Sequence, residues 1–257
     1  MRLRVNLILL AVAASYLGAC APAAMPTPTP VVQQVIRTPA YEDLVKTWFD
    51  GYLQVSPDSF ISLVTQPPET ALASLEDGTG DVIIGGLTPP ADWFATPLCE
   101  DGIVVVVHPD LRVRDLSIDE LAAIFTGRLS SWDSLADVDL QIQPVIPPPG
   151  DEIRAAFQST VMSRQRFTNN ALLGPTPVAV LQLVDENEGA IGLLPFSAIG
   201  EKVRPIRVEG ILPGPTTIHD GRYPLPISIL AIAPQEPSGE VRTWLAWLQS
   251  ELLESSQ

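Results

Sequence analysis

Apolar residues along this chain of 257 gather in short runs, and one run sets the reading of the rest. Residues 103–107, Ile-Val-Val-Val-Val, are too short for a helix and show no polar alternation. They predict a strand buried on both faces, which needs helices above and below it. Pro109 cannot donate to a sheet ladder and ends the strand. Ser117 and Glu120 then stand at capping-box spacing, Leu121, Ile124 and Phe125 fall on one helical face, and Gly127 stops the helix.

The same alternation of strand-like and helix-like patterns continues on both sides. A strand over 31–36 is followed by Thr38 as N-cap and Pro39 in the first helical turn, with Leu44, Val45, Trp48, Phe49 and Tyr52 as the apolar face. Strand 60–64, helix 69–75 and strand 82–84 come next, the last running into Gly85-Gly86-Leu87-Thr88. Beyond the Ser117 helix, strand 140–146 leads through Pro147 to Glu152 into a helix beginning at Ile153. Thr176 and Pro177 repeat the cap-and-proline start ahead of helix 178–184, strand 188–195 follows, and 205–211 carries the chain back. The chain ends in an amphipathic helix over 241–253 bearing Trp244, Leu245, Trp247 and Leu248. Strands alternating with helices predict an α/β protein with a parallel sheet.

The first thirty residues are of another kind. Arg2 and Arg4, a mostly apolar 13-residue run and Leu17-Gly18-Ala19-Cys20 read as a secretory signal over 1–19, since the run is too short to span a bilayer. The four closing residues resemble the bacterial lipobox, which makes Cys20 the lipidated first residue of the mature protein. An ordinary signal peptide with a chance cysteine, or an uncleaved anchor, is the other reading. The Pro-rich stretch 20–30 is then an extended tether to the outer face of a membrane. Cys99 is left without an intramolecular partner.

Residues 102–132, with the buried strand, His108-Pro109-Asp110, Leu-Ser-Ile-Asp-Glu-Leu, Ile-Phe-Thr-Gly and a closing Trp132, resemble the phosphate-type substrate-binding proteins of ABC importers. Gly189 to Gly192, Tyr223-Pro224-Leu225 and the Trp-rich last helix extend the likeness over roughly 31–253. The resemblance implies the two-lobe periplasmic-binding-protein-like fold (type II), mixed sheets flanked by helices with a ligand cleft between the lobes. It places 31–107 and 205–257 in one lobe and 108–204 in the other, with hinges near Val107 and Pro205. It also implies an extracytoplasmic, membrane-tethered monomer that hands a small solute to an ABC permease complex.

Four loops have the geometry of anion sites at strand ends and helix N-termini: Arg37-Thr38, Gly86 to Thr88, Gly150-Asp151-Glu152 and Gly174 to Thr176. Taken singly, each threonine is as well read as a cap or turn. The resemblance brings the four together and marks Arg37, Thr38, Thr88, Gly150, Asp151, Glu152 and Thr176 as ligand-binding. Where the family usually has Gly-Ser-Gly-Thr, however, this chain has Gly150-Asp151-Glu152-Ile153, and where it tends to Gly-Ser-Thr-Thr, Arg37-Thr38-Pro39-Ala40. Carboxylates at a helix N-terminus occupy the potential an anion would use, and two unit charges about 4 Å apart repel by roughly 4 kcal/mol at an effective dielectric of 20. Phosphate is therefore disfavoured unless Arg37 or Arg154 points inward, and a neutral or cationic solute is better tolerated.

Charge and composition narrow the partners. The formal charge is −15, and removing 1–19 leaves 13 basic against 30 acidic residues, a surface that disfavours nucleic acid and anionic lipid headgroups. Only His108 and His219 are present, and Gly-x-Ser-x-Gly, Cys-x-x-Cys and His-Glu-x-x-His are all missing, so neither an enzyme nor a metal or cofactor site is expected. His108 reads as a turn residue, Ser163 to Arg166 as a solvated basic face, and Asp151 with Glu152 lacks a third ligand for a cation. Replacement of the loop hydroxyls also suits a different function, a degenerate surface lipoprotein that acts as a sensor or assembly partner without a transport ligand.

Overall fold

The computed structural model describes residues 31–255; the expected signal, the expected lipidation at Cys20 and the expected tether lie outside the described residues. In chain order, β1 (Gln33–Arg37) enters a 3-10 turn at Pro39–Tyr41 and then α1 (Glu42–Val55), followed by β2 (Ile61–Thr65), α2 (Pro68–Glu76) and β3 (Val82–Gly85). β1 lies between β2 and β3 and is parallel to both. Val45, Phe49 and Tyr52 of α1 are buried, as the stripe requires, with Leu44 and Trp48 packed beside them. The helix expected from Pro39 becomes α-helical only at Glu42, because Thr38 has extended backbone but its side chain makes no capping bond. Its hydroxyl is buried instead beside Gly85, where a Cβ on the glycine would stand 3.0 Å from it.

The central strand is far longer than its valine run. β4 (Phe94–Val107) pairs antiparallel with β11 (Pro226–Ala233) through its first half, from Phe94 opposite Ala233 to Gly102 opposite Pro226. Its second half, Ile103 to Val107, pairs with β8 (Ala190–Pro195), and Val106 and Val107 also meet β9 (Arg204–Pro205). Pro97 hid the first half from pattern reading. The strand tolerates it at a bulge between Ile229 and Leu230, where the ladder shifts and one fewer N–H is needed. Residues 103–107 are buried on both faces as predicted, with Val104 and Val106 against Val180, Val184 and Leu194.

The intervening elements are β5 (Asp115–Leu116), α3 (Ile118–Thr126), α4 (Asp133–Ala136), β6 (Gln143–Ile146), α5 (Glu152–Thr160), β7 (Leu172–Leu173) and α6 (Pro177–Asp185). A second 3-10 turn at Phe196–Ala198 follows β8, and β10 (Arg207–Val208), α7 (Pro215–His219) and α8 (Gly239–Ser255) complete the chain. The main sheet runs β2-β1-β3-β11-β4-β8-β6-β7 with β9 beside β4, and β5 pairs with β10. α3 has both arms of the predicted capping box: Glu120 N–H donates to Ser117 Oγ at 3.2 Å and Ser117 N–H to Glu120 Oε2 at 2.8 Å, while Gly127 closes it at φ 81°. The return expected over 205–211 is broken by a turn at Glu209 and Gly210, both at positive φ, which brings Ile211 back against Val208. The result is the two-lobe α/β architecture, with β4 running through both halves.

Candidate functional site

Three of the four expected loops meet where the parallel strands end. Thr38 follows β1, Gly86 follows β3, and Asp151 and Glu152 open α5 at the end of β6. Asp151 is the cap: its Oδ1 accepts from Ile153 N–H at 2.9 Å and Arg154 N–H at 3.2 Å, which fixes the first turn. That turn carries Glu152 inward until only 4% of it is exposed. Gly150, at φ 88°, supplies the left-handed residue that turns the polyproline stretch into the helix. Glu152, Gly86, Thr88, Gly150 and Arg164 line an open basin of about 640 Å³.

Neither carboxylate oxygen of Glu152 has a hydrogen-bond partner, and the buried hydroxyls of Thr38 and Tyr41 have none either. Burial first, then the neighbouring Asp151, pushes the Glu152 carboxyl up to about 7. The Thr38 hydroxyl and the N–H groups of Glu152 and Gly86 draw it back down without reaching good bonding geometry. The Tyr41 phenol is driven well above its ordinary range by burial and by the carboxylates of Asp101, Glu152 and Asp151. Asp101 is raised by burial but satisfied, accepting from Ser197 Oγ at 2.7 Å and Gly102 N–H at 2.7 Å. The site is thus rich in acceptors and holds a carboxyl poised near neutrality. A carboxylate kept from water without a partner is costly, so the arrangement favours a donor or a positive charge placed against it.

The two arginines whose inward turn would have admitted phosphate, Arg37 and Arg154, make their contacts elsewhere. Arg37 donates to Thr65 Oγ1 at 3.0 Å and pairs with Glu42 at 3.1 Å, leaving one buried nitrogen, Nη1, unpartnered. Arg154 donates to the Pro147 carbonyl at 3.0 Å and lies 4.8 Å over the Phe167 ring. Thr88 and Gly150 are exposed on the rim of the basin. Thr176 is apart from it: its hydroxyl caps α6 by accepting from Ala179 N–H at 3.2 Å, and it shares a small pocket of about 10 Å³ with Ala40 and Asp151. Pattern reading missed Tyr41, Asp101, Ser197 and Arg164. Asp101, an acid next to a fully buried run, was the one legible hint; Arg164 was read as a solvated face.

Relatives agree with this architecture. A family model described as a PBP superfamily domain matches residues 34–251. The phosphate-binding protein PstS of Bacillus subtilis (strain 168) is 26% identical over 231 residues, 84% of this chain and 75% of that protein. Among solved structures, a phosphate ABC transporter substrate-binding protein from Clostridium perfringens, with bound phosphate, superposes at a TM-score of 0.80 and 19% identity. It covers 87% of this chain and 97% of its own. An ABC-type phosphate transport receptor from Vibrio cholerae gives 0.71 at 20% identity, covering 87% and 96%.

Proposed function

This chain belongs to the PBP superfamily, and as a member of it we propose that it is an extracytoplasmic solute-binding lipoprotein that captures a small solute and delivers it to an ABC permease complex. Lipidation at Cys20 tethers it; among the described residues no helix is long and apolar enough to cross a membrane. The lobes are 31–107 with 205–257 and 108–204, and they close about Val107 and Pro205. The register sets the change of partner a few residues ahead of Val107, where β4 passes from β11 at Gly102 to β8 at Ile103. Solute bound between the lobes shifts the balance toward closure by its differential affinity.

The solute class follows from one observation: the partnerless, buried Glu152 carboxyl beside the free hydroxyls of Thr38 and Tyr41. A solute that brings an ammonium or other donor group satisfies all three, whereas a phosphate sets a second negative charge against the buried Glu152 carboxyl, with Arg164 the one arginine on the basin's lining. Thermal-shift and calorimetric screening of the mature protein against phosphate, sulfate, amino acids, sugars and polyamines tests this. A ligand at 100 times its dissociation constant stabilises by about 2.7 kcal/mol. Amine-bearing hits are expected; micromolar phosphate binding refutes the solute class, and no hit at all favours the degenerate sensor or assembly partner. Mass spectrometry of the membrane fraction is expected to find an acylated peptide beginning at Cys20, and a soluble product cleaved elsewhere removes the anchor.

A further inference from the structure

A second hollow lies at the far end of β4. The register sets Ile103 opposite Pro195, near Asp101 and Ser197, but Val107 opposite Ile191 and Arg204. Beyond Val107 the chain borders an open basin of about 710 Å³ lined by Arg112, Arg114, Arg204 and Arg207. Four of the 15 basic residues in a chain with 30 acidic ones surround this one hollow.

The backbone holds them there. Arg207 N–H donates to the Arg114 carbonyl at 2.9 Å, joining β10 to the segment ahead of β5, and the Arg204 guanidinium donates to the Leu111 carbonyl. Among the described residues none of the four forms an ion pair. The acids nearest in sequence are engaged by main chain: Asp115 Oδ1 accepts from Gly210 N–H at 3.0 Å and Glu209 Oε1 from Ile118 N–H at 2.7 Å. Asp110, also on the rim, is exposed and faces His108 at 4.0 Å. Partial burial and the adjacent Arg114 hold Arg204 below the ordinary arginine range. Four guanidinium groups thus line the hollow against a single lining carboxylate, Asp110, and none of them is paired with it. Screening over about 8 Å at physiological ionic strength keeps the remote acids from cancelling them.

We propose that this basin is an anion-binding site, separate from the solute site, for a compact phosphate-bearing group larger than orthophosphate. Planar guanidinium forks match phosphate oxygens two at a time, and the volume exceeds what one orthophosphate fills. Exposed nucleic acid is a poor occupant, since the acidic surface around the hollow repels an extended polyanion. A soluble oligophosphate and a phospholipid headgroup share the required chemistry.

Calorimetry of the full-length chain with tripolyphosphate tests the site, and flotation with vesicles of phosphatidylcholine alone or with phosphatidylglycerol separates the sources. Saturable one-to-one binding is expected, weakened at least tenfold in Arg114→Ala/Arg207→Ala with the unfolding temperature unchanged. Arg222→Ala/Arg242→Ala, which removes the same charge from the paired surface arginines, should leave it intact. A preference for phosphatidylglycerol lost in the first variant identifies the headgroup; tripolyphosphate binding without it identifies a soluble anion. Absence of both, or equal weakening in the two variants, overturns the proposal.

Discussion

Replacing Glu152 by Gln keeps the volume and removes the ionisation, so it isolates the cost of burying that carboxyl. In the unfolded chain it titrates near 4.5, and in the folded protein near 7, because burial and the adjacent Asp151 disfavour the charged form. Below pH about 4.5 both states hold the proton and Glu152 imposes no pH-dependent penalty on the fold. Between the two values the unfolded chain releases the proton while the native state keeps it, so stability falls as pH rises, at about 1.36 kcal/mol per pH unit. The loss is complete above pH about 7 and amounts to about 3 kcal/mol. Glu152→Gln does not titrate, so its advantage over the natural chain should grow by about 3 kcal/mol between pH 4 and pH 8. Urea unfolding of both proteins at several pH values reads this difference, the titrating groups outside the Asp151–Glu152 pair being common to both. A difference that stays flat across the range would show that Glu152 ionises as freely as in water, and the reading of an unpartnered buried carboxyl would fall with it.

Two tyrosines of similar burial should respond in opposite ways to loss of the hydroxyl. Tyr41→Phe removes a partnerless group and is expected to be neutral or stabilising by up to about 1 kcal/mol, whereas Tyr223→Phe, whose hydroxyl donates to the Ile103 carbonyl at 3.0 Å, should lose about 1 kcal/mol in denaturant unfolding. Ser117→Ala breaks the capping box of α3 and should cost about 1 kcal/mol by the same measurement, with Ser117→Gly costing less. Cys99, whose thiol burial pushes up to about 12, should resist thiol reagents at neutral pH until the protein is unfolded, and rapid native labelling would contradict that burial.

What the sequence disclosed was what is written locally. The valine run, the Ser117–Glu120 box, Gly127 and the Thr176-Pro177 start each depend on residues within one turn or strand, and each is found in place. Thr38 has the same local signature as Thr176 yet does not cap, because its hydroxyl is trapped between Gly85 and Glu152, contacts set by strand order. The charge state of Glu152 was hidden for a similar reason. Two acids at a helix start read as ionised and stable, and only the folded surroundings, Tyr41 among them, withdraw the water that reading assumes. The arginine basin draws on residues almost a hundred positions apart, joined by the pairing of β5 with β10 and of β9 with β4.

Among the described residues β11 is the last strand to be made, yet it lies between β3 and β4. Until residues 226–233 arrive, those two strands offer bare edges to any passing backbone, and joining Leu230 to Gly85 closes a very long loop. The sheet ahead of β11 therefore cannot be completed until that strand is made. For a chain that is exported as proposed, this ordering is useful, since a polypeptide lacking β11 keeps its sheet open and loose enough to be threaded through a membrane, and the sheet closes only once β11 has followed.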